Sequence, residues 1–269
     1  MFKFIFLLFI PLSLCALFDP TTHIILVRHG ETFRSAEGKE IQGWIDDDAA
    51  QLNPKGQAQA DQLSQKLAKR YQGILTAIYS SPLGRCLQTA QAISTSFPDI
   101  PLIEDRHFME ICHGQHDTMP PKERDAFCLK RYAERERNFK EKYPDKIPDR
   151  FFKWAYNPLV ERQSPSDAKF EGDLETILQL FERATEGCRI LSQKHPGETI
   201  LISSHAGLIK TLANEAEYRQ RGDENPLPVY YEHPISSTCK SQYLPGNCSI
   251  YHFIWKEGTL TFTGKEDLD

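Results

Sequence analysis

Four short apolar runs, each stopping at a charged or hydroxyl-bearing residue, constrain this chain more than any other feature. They are Ile24-Ile25-Leu26-Val27, Leu75-Thr76-Ala77-Ile78-Tyr79, Pro101-Leu102-Ile103 and Thr199-Ile200-Leu201-Ile202. Strands with one wet face alternate apolar and polar residues, so runs that stay apolar at consecutive positions predict strands buried on both faces, as in a parallel sheet. Helical patterns lie between the runs. Asn53-Pro54 predicts a helix start, with Pro54 at the first helical position and Ala60, Leu63 and Leu67 on the apolar face. Leu174, Ile177, Leu178, Phe181, Cys188 and Leu191 mark a second helix that stops at His195-Pro196-Gly197. Strand–helix alternation of this kind predicts an α/β sandwich.

The chemistry lies just past the strand ends. The first run leads into Arg28-His29-Gly30-Glu31, the second into Ser80-Ser81-Pro82-Leu83-Gly84-Arg85 and the last into Ser203-Ser204-His205-Ala206-Gly207. Open α/β sheets bind ligands outside the carboxyl ends of their strands. Arg28, His29, Arg85 and His205 are therefore expected at one edge of the sheet. Ser81 reads as an N-cap and Pro82 as the first helical residue, which puts Arg85 in a first helical turn. A cation there opposes the helix dipole, and a bound anion would relieve the conflict. Each piece alone has a bland reading: a chance tetrapeptide, an exposed arginine, a satisfied core histidine. Three strand ends delivering them together point to a phosphate site.

The 269 residues, 40% of them hydrophobic, suffice for one globular domain with insertions, expected over 23–269. A net charge of −5 excludes a strongly basic nucleic-acid binder. Residues 1–16 read as a signal peptide: Lys3, an apolar run from Phe4 to Leu14, then the small residues Cys15 and Ala16. Export, periplasmic or secreted, is the expectation, with no integral membrane span after cleavage. Attachment through an uncleaved or lipidated N-terminus is the alternative. Cleavage after Cys15 would leave six of the seven cysteines; Cys239 and Cys248, near the turn signal Pro245-Gly246, are either a disulfide or ordinary buried thiols. Asn247-Cys248-Ser249 has the form of a glycosylation sequon.

Residues 115–170 break the pattern, with charged and aromatic side chains and several prolines, and are expected to form a helical lid over the pocket. From Lys122 to Lys153 there are eleven Lys/Arg and seven Asp/Glu, an excess of four positive charges that suits attraction of an anionic substrate. Most of these charges read as an ordinary solvated face. His113, His116 and Asp117 hint at a metal site, but the spacing is not a zinc signature, so a pocket-wall loop is expected and no metal.

In order along the chain, Leu26-Val27-Arg28-His29-Gly30-Glu31-Thr32, Gln42-Gly43-Trp44, Leu52 with Gly56-Gln57-Ala58, Ser80-Ser81-Pro82-Leu83 with Arg85, Gln88-Thr89-Ala90, Glu110 with Gly114, and Ser204-His205-Ala206-Gly207 resemble the histidine phosphatase superfamily, in its phosphoglycerate-mutase-like branch. The matching pieces run from Ile24 to about Ile209, with Ser249–Trp255 as a completing strand region. The resemblance implies a three-layer α/β/α sandwich with a mostly parallel central sheet. It implies that His29 is the nucleophile and Glu110 the general acid, and that Arg28, Arg85 and His205 hold the phosphoryl oxygens. Thr32, Ser35 and Gln42 are expected as further pocket members, Gly30 as a close approach to the phosphate, and Glu31 as an orienting group. No cofactor and no metal are implied, because the arginines supply the positive charge. Ser35 stands where the family often has Asn. The segment after Glu110 differs from that of cofactor-dependent mutases, and the adjacent arginine pair of mutases is absent. Hydrolysis of a phosphate monoester, on a small metabolite or a phosphoprotein, is therefore expected; a mutase and a non-catalytic phospho-ligand binder are the alternatives.

Overall fold

The computed structural model describes residues 20–37, 42–114, 117–120, 177–220 and 245–268, with isolated positions such as Glu123 and Glu175 between them. The expected signal peptide, nearly all of the expected lid, His116 and Cys239 lie outside the described residues.

Among the described residues the central sheet has six strands. β1 (Thr22–Arg28), β2 (Leu75–Ser80), β3 (Leu102–Glu104) and β4 (Thr199–Ser204) run parallel, and β5 (Ile250–Lys256) and β6 (Thr259–Glu266) extend the sheet antiparallel beyond β1. The order across the sheet is β3-β2-β4-β1-β5-β6. Helices α1 (Phe33–Glu37), α2 (Pro54–Tyr71), α3 (Gly84–Ser94), α4 (Ile177–Lys194) and α5 (Ala206–Gln220), with 3-10 turns at Asp48–Ala50 and Arg106–Phe108, complete the described elements. This is the α/β sandwich expected, with a mostly parallel sheet.

The consecutive apolar residues of β1 and β4 are explained by two cores. Ile24, Leu26, Ile200 and Ile202 pack against Leu180 and Leu191 of α4 and Leu208 and Leu212 of α5. Ile25, Val27 and Leu201 point the other way, onto Leu63 and Leu67 of α2 and Ile93 of α3. Successive strand residues face opposite sides, so a strand covered twice needs apolar side chains at every position. Each such side chain, fully buried, contributes about 1.5–3 kcal/mol. β3, at the edge, is half-exposed, which is why its sequence signal is short.

Asn53 caps α2 as read, its Oδ1 accepting from Gly56 N–H at 2.7 Å, with Pro54 at the start. The start of α3 departs from expectation. Its N-cap is Leu83 rather than Ser81, and the helix begins at Gly84. The Ser81 hydroxyl lies 2.8 Å from Nε2 of His205 and accepts Leu83 N–H at 3.4 Å, ahead of the helix. The Asp46 carboxylate takes over the role, accepting Gly84 N–H at 2.9 and 3.0 Å. Arg85 still sits in the first turn, but the anion at this helix terminus is a side chain of the protein. Cys248 is a free, buried thiol.

Candidate active site

Because β2, β4 and β1 are neighbours in that order, the three strand ends meet. His29 N–H donates to Ser204 carbonyl at 3.1 Å and Ser81 N–H to Ser203 carbonyl at 2.9 Å, so the ladders run on past the strands. Consequently the His29 and His205 rings lie edge to face with centroids 5.4 Å apart. His205 in turn contacts Ser81 and lies 3.3 Å from the Cys86 sulfur through Nε2.

His29 is 4% exposed, and its Nδ1 lies 2.7 Å from the Gly30 carbonyl. A carbonyl only accepts, so Nδ1 carries the proton and Nε2 keeps its lone pair. Burial, then the charges of Arg85 and Arg28, holds the His29 pKa well below its ordinary 6.5. Burial, Arg85 and His29 do the same to His205. Two neutral imidazoles thus face each other at neutral pH.

Arg85 is fully buried, with terminal nitrogens donating to the Gly43 carbonyl at 2.7 Å and the Ile45 carbonyl at 3.2 Å. Arg28 donates to the Pro245 carbonyl at 2.7 Å. Neither guanidinium forms an ion pair among the described residues, and Nε of each is buried with no partner. Two cations held by neutral carbonyls, each with a donor in reserve, make a place for an anion with several oxygens. Burial lowers the pKa of both, yet guanidinium stays charged.

Glu110 comes just after the 3-10 turn Arg106–Phe108 and is 7% exposed. Its carboxylate accepts Ile111 N–H at 2.9 Å and Gly207 N–H, in the first turn of α5, at 3.0 Å. A Cβ on Gly207 would stand 2.5 Å from Glu110 Oε1, so a glycine is what admits the carboxylate here.

The sequence profile of the histidine phosphatase superfamily (branch 1) matches residues 24–151 and 135–239. The chain belongs to the histidine phosphatase superfamily. A metal-independent phosphoserine phosphatase of Arabidopsis thaliana is 31% identical to it over 196 residues, 71% of this chain and 67% of the plant protein. Phosphoglycerate mutase-like protein 4 of Arabidopsis thaliana is 28% identical over 204 residues, 76% of this chain and 75% of its own length. Among solved structures, a phosphoserine phosphatase mutant of Entamoeba histolytica in complex with phosphoserine superposes with a TM-score of 0.58 at 24% identity, covering 92% of this chain and 98% of that one.

The remaining expected residues of this histidine phosphatase surround that core of the site. Thr32 Oγ1 donates to Gln42 Oε1 at 3.0 Å, and Gln42 Nε2 is buried with no partner. The Ser35 hydroxyl is engaged by its own neighbourhood, accepting Thr32 N–H at 2.9 Å and donating to the Thr32 carbonyl at 3.2 Å. Gly30 is needed for a reason besides the expected one. A Cβ there would meet the Gly56 carbonyl oxygen at 2.4 Å, so the close approach is to the start of α2. Glu31 accepts from Asn53 Nδ2 and Lys55 Nζ, which lower its pKa. The Asp117 carboxylate accepts the Trp44 and Ile45 N–H groups, fixing the loop whose carbonyls hold Arg85.

Several participants had no assigned role in the sequence. Trp44 donates its indole N–H to the Glu110 carbonyl at 2.6 Å. Asn247 Nδ2 donates to the His29 carbonyl at 3.3 Å, so the sequon asparagine is tied to the backbone of His29. Arg183 and Glu175 support the Glu110 loop. Trp44 was visible as part of Gln42-Gly43-Trp44; Arg183, one charge in an amphipathic helix, carried no signal.

Proposed function

We propose that this enzyme hydrolyses phosphate monoesters through a phosphohistidine on His29. The observation that supports it best is the bond between His29 Nδ1 and the Gly30 carbonyl, which leaves Nε2 unprotonated in a ring that burial and the charges of Arg85 and Arg28 keep neutral. Nε2 attacks phosphorus, the bond from phosphorus to the alcohol oxygen breaks, and Glu110 gives that oxygen its proton. Arg28, Arg85 and His205 hold the equatorial oxygens, doing electrostatic work that requires no metal. Water then attacks phosphorus, Glu110 takes the water proton, and the N–P bond breaks to release orthophosphate and neutral His29. Thr32 and Gln42 complete the pocket wall, with Ser35 beside them. The substrate is a small phosphorylated molecule or a phosphoprotein; likeness to the Arabidopsis phosphoserine phosphatase supports an alkyl phosphate bearing a carboxylate, such as phosphoserine.

Export fits this reading through the residue 1–16 pattern. Among the described residues no helix is long and apolar enough to cross a membrane. The test incubates purified protein with p-nitrophenyl phosphate, phosphoserine and phosphoglycerate in the presence of chelator. Release of orthophosphate, with an acid-quenched phosphohistidine absent from His29→Ala, is the expected result. Unchanged hydrolysis in His29→Ala would sink the nucleophile assignment, and phosphoglycerate interconversion without release would establish a mutase instead.

A further inference from the structure

One buried ion pair takes no part in the chemistry above. Arg183, in α4, is 5% exposed, and Glu175, two residues before that helix, is 4% exposed. Arg183 Nε and Nη2 meet Glu175 Oε1 and Oε2, each at 2.9 Å, in a fork-to-fork pair. The other donors all go to one loop. Nη1 reaches the carbonyls of Arg106 at 3.2 Å, His107 at 2.8 Å and Met109 at 3.1 Å, and Nη2 reaches that of Glu110 at 3.3 Å. Glu175 holds the far side of the same loop, accepting Cys112 N–H at 3.0 Å and donating its own N–H to the Cys112 carbonyl at 2.9 Å.

We propose that Arg183, oriented by Glu175, is the positioning residue for Glu110. The proposal rests on the reading of Glu110 as proton donor. Fold stability is the poorer account of the pair, since buried ion pairs are often matched or bettered by apolar side chains. The direction of the bonds is more telling: every neutral acceptor of Arg183 lies between Arg106 and Glu110. Trp44 also donates to the Glu110 carbonyl, and Ile111 and Gly207 N–H groups hold its carboxylate. Arg183 therefore sets where the acid's backbone sits, and small displacements of an acid cost catalysis steeply. Lysine has no planar fork and fewer donors, so it cannot reproduce the clamp.

The test compares kcat/KM of the full chain on phosphoserine, whose alcohol needs a proton to leave, with that on p-nitrophenyl phosphate, whose phenolate does not. Arg183→Lys keeps the charge; the double variant Glu175→Met/Arg183→Met removes both charges and strands neither. Both are expected to lose at least about tenfold more on phosphoserine than on the aryl ester while melting cooperatively. Arg183→Lys added to Glu110→Gln is expected to cost nothing further. Equal losses on the two substrates, no loss, a further loss in the Glu110→Gln background, or failure of both variants to fold would each overturn the proposal. If Glu110→Gln itself shows no leaving-group selectivity, the proton-donor reading falls and takes this one with it. A selective Glu110→Gln beside an unselective Arg183→Lys overturns Arg183 alone.

Discussion

At His29 one hydrogen bond decides which nitrogen carries the proton, and burial and the surrounding charges keep the ring neutral. With its pKa held well below 6.5 by burial and two arginines, the ring is expected to stay neutral where ordinary histidines titrate. An NMR titration should show the His29 Cε1 proton shift flat through pH 6.5, while an exposed histidine moves; a full titration step there would contradict the site electrostatics. Gly207 is the second decisive residue. In Gly207→Ala the new Cβ would be 2.5 Å from Glu110 Oε1, displacing the carboxylate and its bond to the residue 207 N–H. Steady-state kinetics should show kcat down by on the order of a hundredfold with KM little changed, since the proposed proton donor acts in the transition state more than in binding. Wild-type kcat in this variant would show that the acid has other room.

At the scale of elements, the site is assembled from helix starts and strand ends. The α3 terminus shows how a local reading is overridden. Ser81 has the right type and place for a cap, but its hydroxyl is turned to His205, and Asp46 arrives from a separate loop to bind Gly84 N–H. Asp46→Ala should therefore lower stability by about 1 kcal/mol, as cap removal does, read as a few degrees in the melting midpoint. Ser81→Ala should act on activity more than on stability, because the group it removes faces His205. Comparable melting losses from the two variants would mean that Ser81 shares the cap.

The whole molecule carries a linkage between pH and folding. His29 and His205 are buried neutral, with folded pKa values well below the unfolded 6.5. Below that pH the unfolded chain binds protons that the folded one refuses, so their contribution to stability is present above pH 6.5 and is lost as pH falls. Each such group contributes about 1.4 kcal/mol per pH unit to the slope once below its unfolded pKa. Denaturant midpoints between pH 7 and 5 should fall (about two protons' worth of slope from this pair), and His205→Asn should flatten the decline. Inorganic phosphate should raise the midpoint, because it binds the two guanidiniums only when folding has brought them together. A midpoint indifferent to phosphate would remove the anion site.

The sandwich, and the meeting of most of the candidate site residues at its strand ends, were legible in the sequence for one physical reason: both are written in local patterns. Doubly buried strands must be apolar at consecutive positions, and a parallel sheet puts its ligand crevice where those strands end. So Ile24–Val27 and Thr199–Ile202 announced the sheet, and Arg28, His29, Arg85 and His205 came as their continuations. Glu110 was legible only through the resemblance, since no strand ends there. How those groups are held was left to the tertiary structure. Asp46 on α3, Gly56 against Gly30, Asn247 on the His29 carbonyl and Arg183 across the Glu110 loop are contacts between residues far apart in the chain. Periodicity and spacing report neighbours along a strand or helix. Which distant carbonyl a guanidinium reaches is set by packing, and no local pattern records it.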